Sequence, residues 1–168
     1  MKKLILTLLI IQNIYSQSNN IFKPIDVFDL EYVSNTMISP DGNKVLYQRN
    51  FNDIMTDESF SNIWIINYDG TENRPITTGN YKDNSPQWSN NGDKFIFKSN
   101  REGKSQIFLF DLNNNSIQKL TNFQYSMGSL RWSPDDKFIL FSSFIDSKRK
   151  KLIEMPEKPK GAKWNDPP

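Results

Sequence analysis

The hydroxyls of Ser142 and Ser143 follow an apolar run and would need a base to act as nucleophiles, but this 168-residue sequence contains no histidine to supply one. Without an imidazole there is no Ser-His-Asp triad and no HExxH zinc site. The absence of cysteine removes thiol nucleophiles, thiolate metal sites, disulfides and a lipidated N-terminal cysteine. No G-x-S-x-G nucleophile elbow occurs either. The two serines are therefore read as structural. No residue is assigned a catalytic, cofactor-binding or metal-binding role, and no cofactor is expected.

Three further groups could do chemistry or recognition, and each has a plainer reading. The acidic turns Asp41-Gly42, Tyr68-Asp69-Gly70 and Asp135-Asp136 suggest calcium, but none has the ligand spacing of an EF-hand loop. Asp and Gly are what tight hairpins demand, so these are read as turns. Trp64, Trp88 and Trp132, with their neighbouring phenylalanines, could line a carbohydrate or peptide surface. Their regular placement argues for packing between repeated units. Lys148-Arg149-Lys150-Lys151, continued by Lys158, Lys160 and Lys163, is interrupted by Glu154 and Glu157 and is read as a solvated hairpin and linker.

The elements that would position such residues are legible as a repeat. Ser39-Pro40-Asp41-Gly42-Asn43-Lys44-Val45-Leu46-Tyr47 aligns with Ser89-Asn90-Asn91-Gly92-Asp93-Lys94-Phe95-Ile96-Phe97. Both align with Ser133-Pro134-Asp135-Asp136-Lys137-Phe138-Ile139-Leu140-Phe141, where matching lysine to lysine requires one deletion. A second segment repeats in step, Asn62–Asn67 with Gln106–Asp111, and Pro75-Ile76-Thr77 with Lys119-Leu120-Thr121. Trp88 and Trp132, Ile63 and Ile107, and Ile76 and Leu120 are all 44 positions apart. The first copy is longer because Phe51–Phe60 carries an insertion. β-Branched and aromatic runs punctuated by Asn, Asp, Gly and Pro predict four strands per unit. A period in the low forties with four strands predicts an all-β fold, a partial β-propeller of about two and a half blades. A short helix is expected ahead of it, with Pro24 in the first turn of Ile25–Leu30.

The N-terminus predicts export. Lys2 and Lys3 precede the apolar run Leu4–Ile11, and Ser16 offers a small residue at the cut. That run is too short to span a bilayer, so no stable membrane anchor is expected after cleavage. The 21 basic and 19 acidic side chains balance once Lys2 and Lys3 are removed, which leaves no basic field to recruit nucleic acid. The division expected is a signal peptide over 1–16, an N-terminal segment with the short helix over 17–36, an incomplete propeller over 37–155 and a proline-rich linker over 156–168. Seven or eight blades of about 45 residues need over about 300 residues, so the chain is expected to be a fragment.

These units resemble the propeller repeats of the prolyl-oligopeptidase family, in its dipeptidyl aminopeptidase and acylaminoacyl-peptidase branch. The resemblance is carried by Ile25–Leu30, Ile38–Gly42, Ile63–Ile66 with Tyr68-Asp69-Gly70, and Thr77-Thr78-Gly79. It continues through Ser85–Ser89, Ser99-Asn100-Arg101-Glu102-Gly103 and Leu120-Thr121, then the connection Met155–Trp164. It implies a propeller that gates peptide access to a separate α/β-hydrolase domain, which is absent from this chain, so peptide substrates would be engaged through that missing domain. TolB-like periplasmic propellers share the Ser-Pro-Asp-Gly turns, and a non-enzymatic binding propeller is the alternative. Either implies an exported protein, periplasmic or secreted, of undetermined oligomeric state.

Overall fold

The computed structural model describes residues 21–145. The expected signal peptide, the basic stretch from Lys148 and the linker lie outside these residues. The described chain opens with a 3₁₀ helix, Pro24–Asp29. Pro24 stands at its start, where its fixed φ suits the turn and its missing N–H costs nothing. The Lys23 backbone N–H donates to Asp26 Oδ2 at 2.8 Å, closing the first turn. The expected short helix is thus present, in the tighter form usual for a few residues.

Two four-stranded antiparallel blades follow, then a two-stranded part of a third. Blade 1 is β1 (Tyr32–Ile38), β2 (Lys44–Asp53), β3 (Glu58–Asn67) and β4 (Arg74–Pro75), hydrogen-bonded in that order. Blade 2 is β5 (Asn84–Trp88), β6 (Lys94–Ser99), β7 (Gln106–Asp111) and β8 (Ser116–Lys119), in the same order. β9 (Met127–Trp132) pairs with β10 (Ile139–Ser143). The first blade begins at Tyr32, five residues before the boundary expected at 37. β1 escapes detection because most of its side chains are exposed and a bulge between Ser34 and Met37 breaks its alternation.

The insertion at Phe51–Phe60 lengthens one hairpin. Phe51 pairs with Phe60, Asn52 with Ser59 and Asp53 with Glu58, so β2 and β3 each run ten residues against six in β6 and β7. One expectation fails. The third copy has no deletion: Ile139 pairs with Trp132 as Phe95 pairs with Trp88 and Val45 with Ile38. Ser133 N–H donates to Phe138 O, as Ser39 does to Lys44 O and Ser89 to Lys94 O. Phe138 therefore occupies the lysine position, and the 44-residue step holds through the turn. Matching lysine to lysine misled because a surface side chain carries less register information than the hydrogen-bonded ladder.

The core lies between blades, where facing sheets bury alternate residues. Between blades 1 and 2, Leu46, Ile63 and Ile65 meet Trp88, Phe95, Phe97, Phe108 and Phe110. Phe95 and Phe97 are fully buried, each contributing about 2–3 kcal/mol relative to exposure. Between blades 2 and 3, Ile96 and Ile107 meet Met127 and Leu130, with Ile139 and Phe141 at the margin. The two indoles cross these seams: Trp88 Nε1 donates to Met37 O and Trp132 Nε1 to Gln87 O, both at 3.0 Å. Trp64 does not share this role. It stacks on Tyr47 and carries the Arg49 guanidinium at 4.7 Å, on the face of blade 1 turned away from blade 2.

Candidate functional site

The first strand of each blade is its innermost. β1, β5 and β9 stand side by side, and a cavity of about 290 Å³ opens where they converge. Its wall includes Asn35, Thr36, Ser85, Gln87, Ser129 and Arg131. These strands are held in place by the outer strands of their own blades and by the two indole bonds.

Each of the three strand pairs is irregular beside the cavity. Register shifts occur between Ser34 and Met37 in β1, Asn84 and Gln87 in β5, and Phe141 and Ser143 opposite β9. Asn35 and Ser85 occupy equivalent repeat positions and both adopt positive φ, 48° and 55°. Such bulges re-aim side chains and release backbone groups from the ladder. Nearby polar side chains answer them. Asn35 Nδ2 donates to Gln48 Oε1 at 2.6 Å, and Ser129 N–H donates to Ser142 Oγ at 2.9 Å. The Lys98 ammonium donates to Gly128 O at 3.2 Å and Met127 O at 3.4 Å. Burial lowers the pKa of Lys98. The three side chains Gln48, Lys98 and Ser142 occupy one position of the repeat.

Chemically this wall can bind but has no nucleophile paired with a base. Ser85 Oγ donates to Asn84 Oδ1 and Ser143 Oγ to Ser126 O, while Ser142 Oγ accepts from Ser129. The Ser142 and Ser143 bonds link β10 to β9 and to Ser126 just before it.

Two of the acidic turns, at Asp41 and Asp135, share one motif with the turn at Asn91, while Asp69 bonds Thr71 instead. Ser39 Oγ donates to Asp41 Oδ1 at 2.5 Å and accepts from Lys44 N–H at 2.9 Å. Asn91 and Asp135 take the Asp41 place opposite Ser89 and Ser133. The Ser39 hydroxyl first, then the Asn43 donors, lower the Asp41 carboxyl to about 2. The Ser133 hydroxyl similarly lowers Asp135, and the Thr71 hydroxyl lowers Asp69. Among the described residues, no group of three His, Cys, Asp or Glu is placed to hold a metal ion.

Sequence reasoning passed over one charged group. Asp83 is completely buried in the connection from β4 to β5 and accepts from Arg101 Nη2 at 2.9 Å. The Arg101 guanidinium lies 5.0–5.5 Å from the ring centres of Tyr81, Phe97 and Phe108. Arg101 stands in a segment singled out for its family resemblance. No periodic signal marks Asp83, which lies among polar residues between two strands.

The model of the TolB beta propeller domain family matches residues 9–161. Over 116 residues the chain is 30% identical to an uncharacterized peptidase, YuxL, of Bacillus subtilis, covering 68% of this chain and 18% of that protein. It is 29% identical over 116 residues to dipeptidyl-peptidase 5 of Porphyromonas gingivalis, covering 69% and 17% respectively. The chain thus spans under a fifth of the length of these curated relatives. Acylaminoacyl peptidase of Pyrococcus horikoshii superposes with a TM-score of 0.62 at 22% identity, covering 80% of this chain and 20% of that one, which shows a shared fold.

Proposed function

The chain belongs to the TolB β-propeller domain family, and from that premise we propose that it forms the early blades of an exported propeller which gates peptide access to a serine-peptidase domain carried by a longer protein. The alignment of two thirds of the chain with two named peptidases carries this reading. The cavity at β1, β5 and β9 supports it, since a polar wall with displaced backbone groups suits passage of a peptide and lacks a reactive centre of its own. Export rests on Lys2, Lys3 and the apolar run Leu4–Ile11.

The test is to follow the open reading frame and label its full product with a serine-directed fluorophosphonate. Labelling on a downstream G-x-S-x-G segment, with turnover of dipeptidyl p-nitroanilides, is the expected result. A stop codon after Pro168, or further blades with no hydrolase domain, would overturn it. Further blades alone would favour the second reading, a non-enzymatic binding propeller, which the TolB family match also supports.

A further inference from the structure

The two seams between the described blades are built differently at one corner. At the first, Asp83 N–H donates to Ser61 O and Ser61 N–H donates to Tyr81 O, at 2.9 and 2.8 Å. Ser61 Oγ adds a bond to Asp83 O, and Lys82 N–H donates to Asn100 Oδ1. Over this corner lies the Asp83–Arg101 pair, whose guanidinium also donates from Nε to Ser99 Oγ at 3.0 Å. The pair is largely buried: Asp83 is fully so, the Arg101 side chain is 20% exposed, and Asp83 Oδ1 has no partner among the described residues.

The 44-residue step gives the matching positions at the second seam. Tyr125 stands for Tyr81 and Phe141 for Phe97, so two of the three rings recur, with Phe123 packed edge-on against both; Leu152, outside the described residues, stands for Phe108. The charges do not recur. Met127 stands for Asp83 and Ile145 for Arg101. Among the described residues no backbone bond joins Ser105, the counterpart of Ser61, to Tyr125 or Met127. The Gln106 side chain holds the backbone of Phe123 through both its amide atoms, where Asn62 at the first seam makes one such bond, to Gly79 O. Acid and base are thus replaced together by two apolar residues beside two retained rings. That is the substitution expected of a pair acting as a unit, since removing one partner strands a buried charge while removing both does not.

We propose that the Asp83–Arg101 pair is a lock that joins blades 1 and 2 into one rigid body and leaves the junction of blades 2 and 3 as the place where the structure flexes. Arg101 reaches from the β6–β7 turn of blade 2 to the connection entering that blade, so while the pair is closed the connection, bonded to Ser61 of blade 1, is held fast to blade 2. The second junction has no ion pair across it among the described residues; the Lys98 ammonium and the Asp136 carboxylate cross it only to neutral groups. The lock is independent of what passes through the cavity.

Hydrogen exchange on the full chain, followed by mass spectrometry, tests this. Peptides holding Ser61 and Asp83 should exchange at least about tenfold more slowly than those holding Ser105 and Met127, the order expected for a charge-assisted bond in a partly dry site. Asp83→Met with Arg101→Ile, the residues of the second seam, should erase that difference and leave the β6–β7 ladder protected. Arg101→Lys, which keeps charge but loses the planar fork, should give an intermediate rate. Equal exchange at both seams in the unmodified chain would overturn the lock. So would an unchanged first seam in the double variant, or a rise that spreads equally into β6–β7, since the pair would then be a general stabiliser. If the double variant does not fold, Arg101→Lys decides, and an unchanged first seam in it overturns the proposal.

Discussion

A serine, an acidic or amide residue two positions on, and a backbone N–H five positions on define the turn that opens each blade. At Asp41 the arrangement has a measurable consequence. Its carboxyl is lowered in the folded chain because Ser39 and Asn43 donate to the ionised form. A depressed folded pKa contributes stability that is present above the unfolded value near 3.8 and is lost as pH falls through about 2. An NMR titration of Asp41 should show its midpoint near 2, and Ser39→Ala should move it upward toward 3.8. An unmoved midpoint would show that the hydroxyl is not the cause. Arg101 offers a second residue-scale expectation. Arg101→Ala strands the buried Asp83 carboxylate and should cost about 3 kcal/mol in urea unfolding, whereas a comparable cut at an exposed pair such as Lys82–Glu58 should cost under about 1 kcal/mol.

Strands and turns were the most legible level, because their signals are local. Lys94–Ser99 and Gln106–Asp111 follow directly from apolar runs bounded by Asn and Gly. The recurrent threonines gain a reason: Thr77 Oγ1 accepts from Ile63 N–H and Thr121 Oγ1 from Ile107 N–H, both at 2.9 Å, pinning the segment after the fourth strand to the third strand of each blade. What stayed hidden depends on distant partners. β1 is recognisable only through its pairing with β2, and the bulges at Asn35 and Ser85 leave no periodic trace. The cavity wall was hidden for the same reason, since three strands roughly fifty residues apart compose it. Two expectations belong here. Trp88→Phe keeps most of the packing but loses the bond to Met37 O, and should lower stability by about 1 kcal/mol. Gly92 sits at φ +77°, and an added Cβ would meet Pro40 Cδ at 3.3 Å. Gly92→Ala should therefore lower the thermal midpoint, with a cost of about 1 kcal/mol or more, while Gly92→Asn, which tolerates positive φ better, should cost less. Equal melting of the two variants would contradict the conformational argument.

At the scale of the whole chain, sheet faces that meet another blade and faces that do not are clearly distinguished. In β10, Ile139 and Phe141 pack against blade 2, whereas Leu140 on the opposite side and Phe138 just before the strand are 73% and 69% exposed. Trp64, Tyr47 and Arg49 similarly furnish the far side of blade 1. Apolar sheet surface of this kind associates when uncovered. Sedimentation of the 168-residue chain should show concentration-dependent self-association, and Phe138→Lys with Leu140→Lys should reduce it without unfolding blades 1 and 2. A chain that stays monomeric at all concentrations would refute this.

The turns also touch one another in order. Pro40 of the first nests against Gly92 of the second, and Asp136 of the third accepts from the Asn90 and Asn91 backbone N–H groups of the second. Every contact of this series reaches back to a unit already made. A polypeptide delivered N-terminus first, whether from a ribosome or through a secretion pore, can therefore fold by accretion, each newcomer finding its mould waiting in the unit before it.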